Sequence, residues 1–99
     1  MNRIAEVVKP GVVSGTDLQY IFKVAKANNF AIPAVNVVGS SSVNAIMEAA
    51  VIANAPVMIQ FSNGGAIFNA GKGLKLEGQK AGILGAVAGA KHIHTLAEA

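Results

Sequence analysis

The stretch Val57-Met58-Ile59-Gln60-Phe61-Ser62-Asn63-Gly64-Gly65-Ala66 decides how the rest of this sequence is read. A short apolar run ends in a hydroxyl and a carboxamide, and two glycines then allow a backbone to approach something closely. A buried parallel strand delivers polar groups to its C-terminal end in this way. Upstream, Phe30-Ala31-Ile32-Pro33-Ala34-Val35-Asn36-Val37-Val38 is a second run that is apolar rather than alternating, again favouring a strand covered on both faces. Pro33 cannot donate a ladder hydrogen bond, so the regular part of that strand is expected from Ala34.

Between the two runs lies a helix. Gly39-Ser40-Ser41-Ser42 reads as a loop supplying its N-cap, Val43, Ile46, Ala50 and Ala53 mark its inner face, and Glu48 faces water. Ala55-Pro56 closes it. Strand, helix and strand with short connections make a βαβ unit.

Before this unit, Thr16-Asp17-Leu18-Gln19 has capping-box spacing, with Thr16 as the expected N-cap. Leu18, Ile21, Phe22 and Ala25 recur as one helical face, and Asn28-Asn29 ends the helix. Residues 1–15 read as a lead-in with a turn at Lys9-Pro10-Gly11 and a short extended piece at Val12-Val13. After the opening stretch, residues 62–79 read as a long glycine-rich connection, and long loops are often functional. A last helix is expected from about Gln79 to Glu98. Gly82, Gly85 and Gly89 lie on one side of it and weaken it by roughly 2–3 kcal/mol against alanine. That side is therefore expected to pack closely on a strand or helix. The order helix, strand, helix, strand, loop, helix is the opening of an alternating α/β protein, either a barrel or a doubly wound sheet.

Composition narrows the classes. The chain has 99 residues, 53% apolar and 13% charged, which suits one small domain and excludes a disordered tail. Eight Lys and Arg against five Asp and Glu give a net charge of +3. The basic residues are scattered and not interleaved with aromatics, so solvated helix faces are favoured over a nucleic-acid surface. The sequence has no cysteine, which removes disulfides, thiolate metal sites and cysteine nucleophiles. No apolar run follows the first residues as in a signal peptide, and Ala81 to Ala90 is about half of the ~18 residues needed to span a bilayer. A soluble, cytoplasmic protein is expected, with neither a membrane nor a nucleic acid as partner.

Few residues carry chemistry. His92 and His94 are two apart on a helix and cannot jointly clasp one metal from regular geometry, so they read as surface or subunit-contact residues. In Gly71-Lys72-Gly73 the lysine lacks the following Ser or Thr of a phosphate loop, and a solvated Lys72 is the simpler reading. Glu6, Asp17, Glu48, Glu77 and Glu98 are far apart in sequence, and Ser62 has no GxSxG elbow. What remains is a pair of polar strand ends, Asn36 and Ser62-Asn63. Ligands bind at such ends in barrels and open sheets; loop capping is the other reading, and the residues alone leave both open.

Lys9-Pro10-Gly11-Val12, Phe30 to Val37, Ala55-Pro56-Val57, Gln60 to Ala66 and Ala70-Gly71-Lys72-Gly73 follow one another in order. Together they resemble the N-terminal part of the class II fructose-1,6-bisphosphate aldolases, over nearly the whole chain. The resemblance implies a (β/α)8 TIM barrel in a homodimer. Residues 1–99 would be an incomplete single domain, with 1–29 a lead-in and helix and 30–99 the first two barrel strands and their helices. It further implies zinc, which polarises the ketone of a sugar-phosphate substrate and stabilises the enediolate. The catalytic aspartate and the zinc-binding histidines are expected beyond Ala99, so no catalytic or metal residue is assigned here. Asn36 and Ser62 carry over as substrate-binding residues, donating or accepting hydrogen bonds at hydroxyl or carbonyl oxygens. These residues by themselves are expected to be inactive. Tagatose-bisphosphate aldolase and a non-catalytic binding or assembly module derived from the barrel are the alternatives.

Overall fold

The structure, a computed structural model, describes residues 2–73 and 75–99. Met1, and Leu74 within the 62–79 stretch, lie outside the described residues. The βαβ unit forms as expected. β1 (Ala34–Asn36) and β2 (Met58–Gln60) pair in parallel, with Ala34 opposite Met58, Val35 opposite Ile59 and Asn36 opposite Gln60. Met58 N–H donates to the Pro33 carbonyl at 2.9 Å and Val37 N–H to the Gln60 carbonyl at 3.0 Å, extending the ladder at both ends. Pro33 thus contributes an acceptor just before the strand, where its missing N–H does no harm.

Coverage of both strand faces is not met within these residues. Val35 and Ile59 are half-buried, whereas Ala34, Asn36, Met58 and Gln60 are exposed. A two-stranded sheet offers one face to its own helices, and among the described residues the other is left without full cover.

Helix starts differ from expectation. α1 (Asn2–Val7) occupies what reads as an irregular lead-in. It is anchored by Ile4, with Val8 just beyond its end; both join Ile21 in a small core against which Val13, Tyr20, Val24, Phe30 and Ile32 pack. Val12 and Val13 form no strand. α2 (Gly15–Ala27) has Ser14, not Thr16, at its N-cap, and no side chain makes the capping bond. Gly15 at φ +61° lets the chain turn into the helix earlier than the capping box would. The buried residues of α2 are Ile21 and Ala25, while Phe22 is exposed. Asn29 at φ +58° ends the helix, with Phe30 N–H on the Ala25 carbonyl at 3.1 Å and Asn29 N–H on that of Lys26 at 3.4 Å.

α3 (Gly39–Ala53) starts at Gly39, so Ser40 to Ser42 are helical rather than a loop. Ser42 still caps, from inside the first turn. Its Oγ accepts the Val38 N–H at 2.8 Å and bonds back to the Val38 carbonyl. Val43 is buried, Ile46 and Ala50 are half-buried, and Ala53 and Glu48 are exposed.

The largest departure is α4 (Asn63–Ala70), which replaces the first half of the expected 62–79 connection. Ser62 caps it, accepting the Gly65 N–H at 3.0 Å, so the serine that reads as a loop residue nucleates a helix. α5 (Lys80–Ala97) then lies against α4. Its glycines meet the expectation of close packing. A Cβ on Gly85 would collide with the Ala66 carbonyl, one on Gly89 with the Phe61 ring, and one on Gly82 would come within 3.2 Å of Asn63 Oδ1. Small-residue contact at this crossing explains why α4 forms despite two glycines in its first turn.

Candidate functional site

The two strand ends singled out in the sequence emerge side by side. Asn36 closes β1 and is exposed; Ser62 lies two residues past β2, also exposed. Gln60, not among the residues the sequence singles out, is exposed and directly opposite Asn36 in the ladder, placing a second carboxamide at the same edge. Its signal was its position as the last strand residue beside an outward-facing polar partner.

Ser62 has a structural duty as well as an exposed position. Its Oγ accepts from Gly65, which leaves a second lone pair and the hydroxyl proton for another partner. Capping and ligand contact are therefore compatible at this residue. α4 also ties the two ends together: Asn69 Oδ1 accepts the Gly39 N–H at 3.0 Å, just beyond the turn that follows Asn36. Neither Gly65 nor Asn69 stood out in the sequence, because both act through contacts distant along the chain.

His92 Nε2 lies 2.9 Å from Asn44 Oδ1, a link from α5 to α3, and His94 is exposed. The surface reading holds for His94, and His92 makes a contact within the chain. Lys72 is exposed beside an open groove it shares with Lys75 and Glu77. Among the described residues no three His, Cys, Asp or Glu side chains come together as a metal site would require. The donors at the strand ends, two carboxamides and a hydroxyl, can orient an oxygen-rich ligand. They hold no group suited to proton abstraction or nucleophilic attack near neutral pH.

A family model described as "Fructose-bisphosphate aldolase class-II" matches residues 16–99. The chain belongs to the class II fructose-bisphosphate aldolase family. Similar proteins bear this out. The chain is 62% identical to the fructose-bisphosphate aldolase of Edwardsiella ictaluri (strain 93-146), over 99% of its own length and 27% of that protein's. It is 58% identical to fructose-bisphosphate aldolase class 2 of Escherichia coli (strain K12), over 99% of its length and 28% of that protein's. The crystal structure of fructose-bisphosphate aldolase from Campylobacter jejuni superposes with a TM-score of 0.84 at 55% identity. That match covers 95% of this chain and 26% of the crystal structure's. The chain thus spans about a quarter of the length of the aldolases it matches. Its parallel β1–β2 pair with flanking helices is the N-terminal portion of an α/β (β/α)8 barrel.

The aldolase family implies zinc, and the residues described here do not form a site for it. What they can contribute is binding and orientation.

Proposed function

We propose that this chain supplies the first two strand ends of the substrate site of a zinc-dependent fructose-1,6-bisphosphate aldolase. The enzyme reversibly cleaves fructose 1,6-bisphosphate to dihydroxyacetone phosphate and glyceraldehyde 3-phosphate, a lyase reaction of glycolysis and gluconeogenesis. The observation that carries this is 62% identity to an aldolase over 99% of the chain. Asn36 and Ser62 hydrogen-bond to hydroxyl or carbonyl oxygens of the sugar phosphate. Their exposure at adjacent ends of a parallel pair supports the role. Zinc acts in the complete enzyme on ligands outside this chain, so the work of these residues is to hold the substrate in register. Residues 1–99 form part of one domain, 1–29 leading in and 30–99 bearing the two strands. The complete enzyme is a cytoplasmic homodimer. No helix among the described residues is long and apolar enough to cross a membrane.

The names of the relatives specify fructose bisphosphate, which favours that substrate over tagatose bisphosphate and favours an enzyme over a non-catalytic module. The test is a graft. This chain replaces the matching segment of the Campylobacter jejuni aldolase, and cleavage of fructose 1,6-bisphosphate is followed in a coupled assay. The graft is expected to cleave. Asn36→Ala and Ser62→Ala in it each lower kcat/KM by about tenfold to a hundredfold, as expected for leaving a desolvated hydroxyl or carbonyl oxygen of the substrate unpaired. Unchanged kinetics in both variants would remove these residues from the site.

A further inference from the structure

We infer that Gly65 is a positioning residue, the point at which the strand ends bearing Asn36 and Ser62 are held against each other. The inference rests on the aldolase reading above. A Cβ on Gly65 would lie 3.2 Å from the Val37 carbonyl oxygen, 3.3 Å from Ser62 Oγ and 3.6 Å from Val38 Cγ2. These atoms belong to both ends at once.

None of them can retreat easily. Val37 follows Asn36 directly, and its N–H is committed to the Gln60 carbonyl at 3.0 Å. Val38 is held by Ser42, which accepts its N–H at 2.8 Å. Ser62 Oγ is held at 3.0 Å by the N–H of Gly65 itself. A methyl group at position 65 therefore acts on the site from beneath, pressing Ser62 outward and the turn after Asn36 away from α4. Gly65 touches no substrate in this account; it sets the spacing of the two groups that do.

The neighbouring glycine provides an internal control. Gly64 lies in the same first turn of α4, and a Cβ there meets nothing within 4 Å. Neither glycine has a positive φ. Helix propensity favours alanine over glycine at both positions, so propensity alone predicts the same result for both. Crowding predicts opposite ones.

The test uses the same graft. Gly65→Ala is expected to lower kcat/KM for fructose 1,6-bisphosphate by about tenfold or more, because small misplacements of binding groups are costly to catalysis. Gly64→Ala, whose Cβ meets no atom of these residues, loses a smaller factor than Gly65→Ala. Ser62→Ala removes one of the two crowding oxygens and leaves the Val37 carbonyl, so in that background Gly65→Ala loses a smaller but still measurable factor. A glycine with a merely structural role would lose the same factor in both backgrounds, and that result would overturn the inference, as would equal behaviour of the two glycine variants. If Gly65→Ala does not accumulate folded, the double variant decides. A folded double variant with kcat/KM below that of Ser62→Ala alone supports the inference, through the Val37 carbonyl and Asn36, and one equal to Ser62→Ala overturns it. Failure of the unsubstituted graft to cleave removes the aldolase reading and this inference with it. Cleavage that depends on Asn36 and Ser62 but not on Gly65 removes the inference alone.

Discussion

At the residue scale, Ser62 joins two demands that pull on the same oxygen. Its acceptor capacity caps α4 through the Gly65 N–H, while its hydroxyl keeps a donor for a further partner at the strand end. Substitutions can separate these. Ser62→Ala loses both, with about 1 kcal/mol of stability from the missing cap and reduced turnover. Ser62→Asp keeps an acceptor of equal capping rank, so its thermal transition in the graft stays close to that of the parent. Its carboxylate nevertheless repels a doubly phosphorylated substrate, and KM rises. Thermal melts and steady-state kinetics on the two variants check both halves. The polar strand ends were legible because Asn36 and Ser62 follow apolar runs directly. The capping role of Ser62 was not, since it depends on Gly65 folding back into a helix.

At the scale of elements, the crossing of α4 and α5 organises the second half of the chain. Gly85 sits on the Ala66 carbonyl and Gly89 on the Phe61 ring, both buried. Gly85→Ala and Gly89→Ala should each destabilise the graft by about 1–3 kcal/mol in urea unfolding, the usual range for overpacking a tight contact. Gly73→Ala, with open space around its Cβ, should change stability by less than about 0.5 kcal/mol. Equal effects at all three positions would contradict the close-packed crossing. The small-residue face of α5 was readable from the spacing of its glycines. α4 was not, because Ser-Asn-Gly-Gly has the composition of a turn and only the contact with α5 makes a helix preferable. α1 escaped for a related reason: six residues carry too little periodicity, and its Ile4 finds its meaning in Ile21 of another helix.

At the scale of the whole molecule, the chain is extended and apolar at its surface. Its radius of gyration is 15.1 Å and its extents are 47 × 23 × 20 Å, against about 13 Å expected for the radius of a compact chain of 100 residues. Val51 is 80% exposed, Ile52 87% and Ile83 61%, so apolar surface remains uncovered on α3 and α5. Two paired strands also leave open edges. The polypeptide of residues 1–99 by itself is therefore expected to lack a sharp cooperative thermal transition and to show no aldolase activity; a sharp two-state melt of the monomer would contradict this. The fold class followed from the alternation of helices and strands, but choosing the barrel over an open sheet needed the likeness to the aldolases, because two strands are common to both.

The most direct measurement is the cleavage of fructose 1,6-bisphosphate by the Campylobacter jejuni aldolase carrying this chain in place of its own matching segment. Turnover is expected, and is expected to fall about tenfold or more on Asn36→Ala and on Ser62→Ala. A folded graft that does not cleave, or one indifferent to both substitutions, would contradict this.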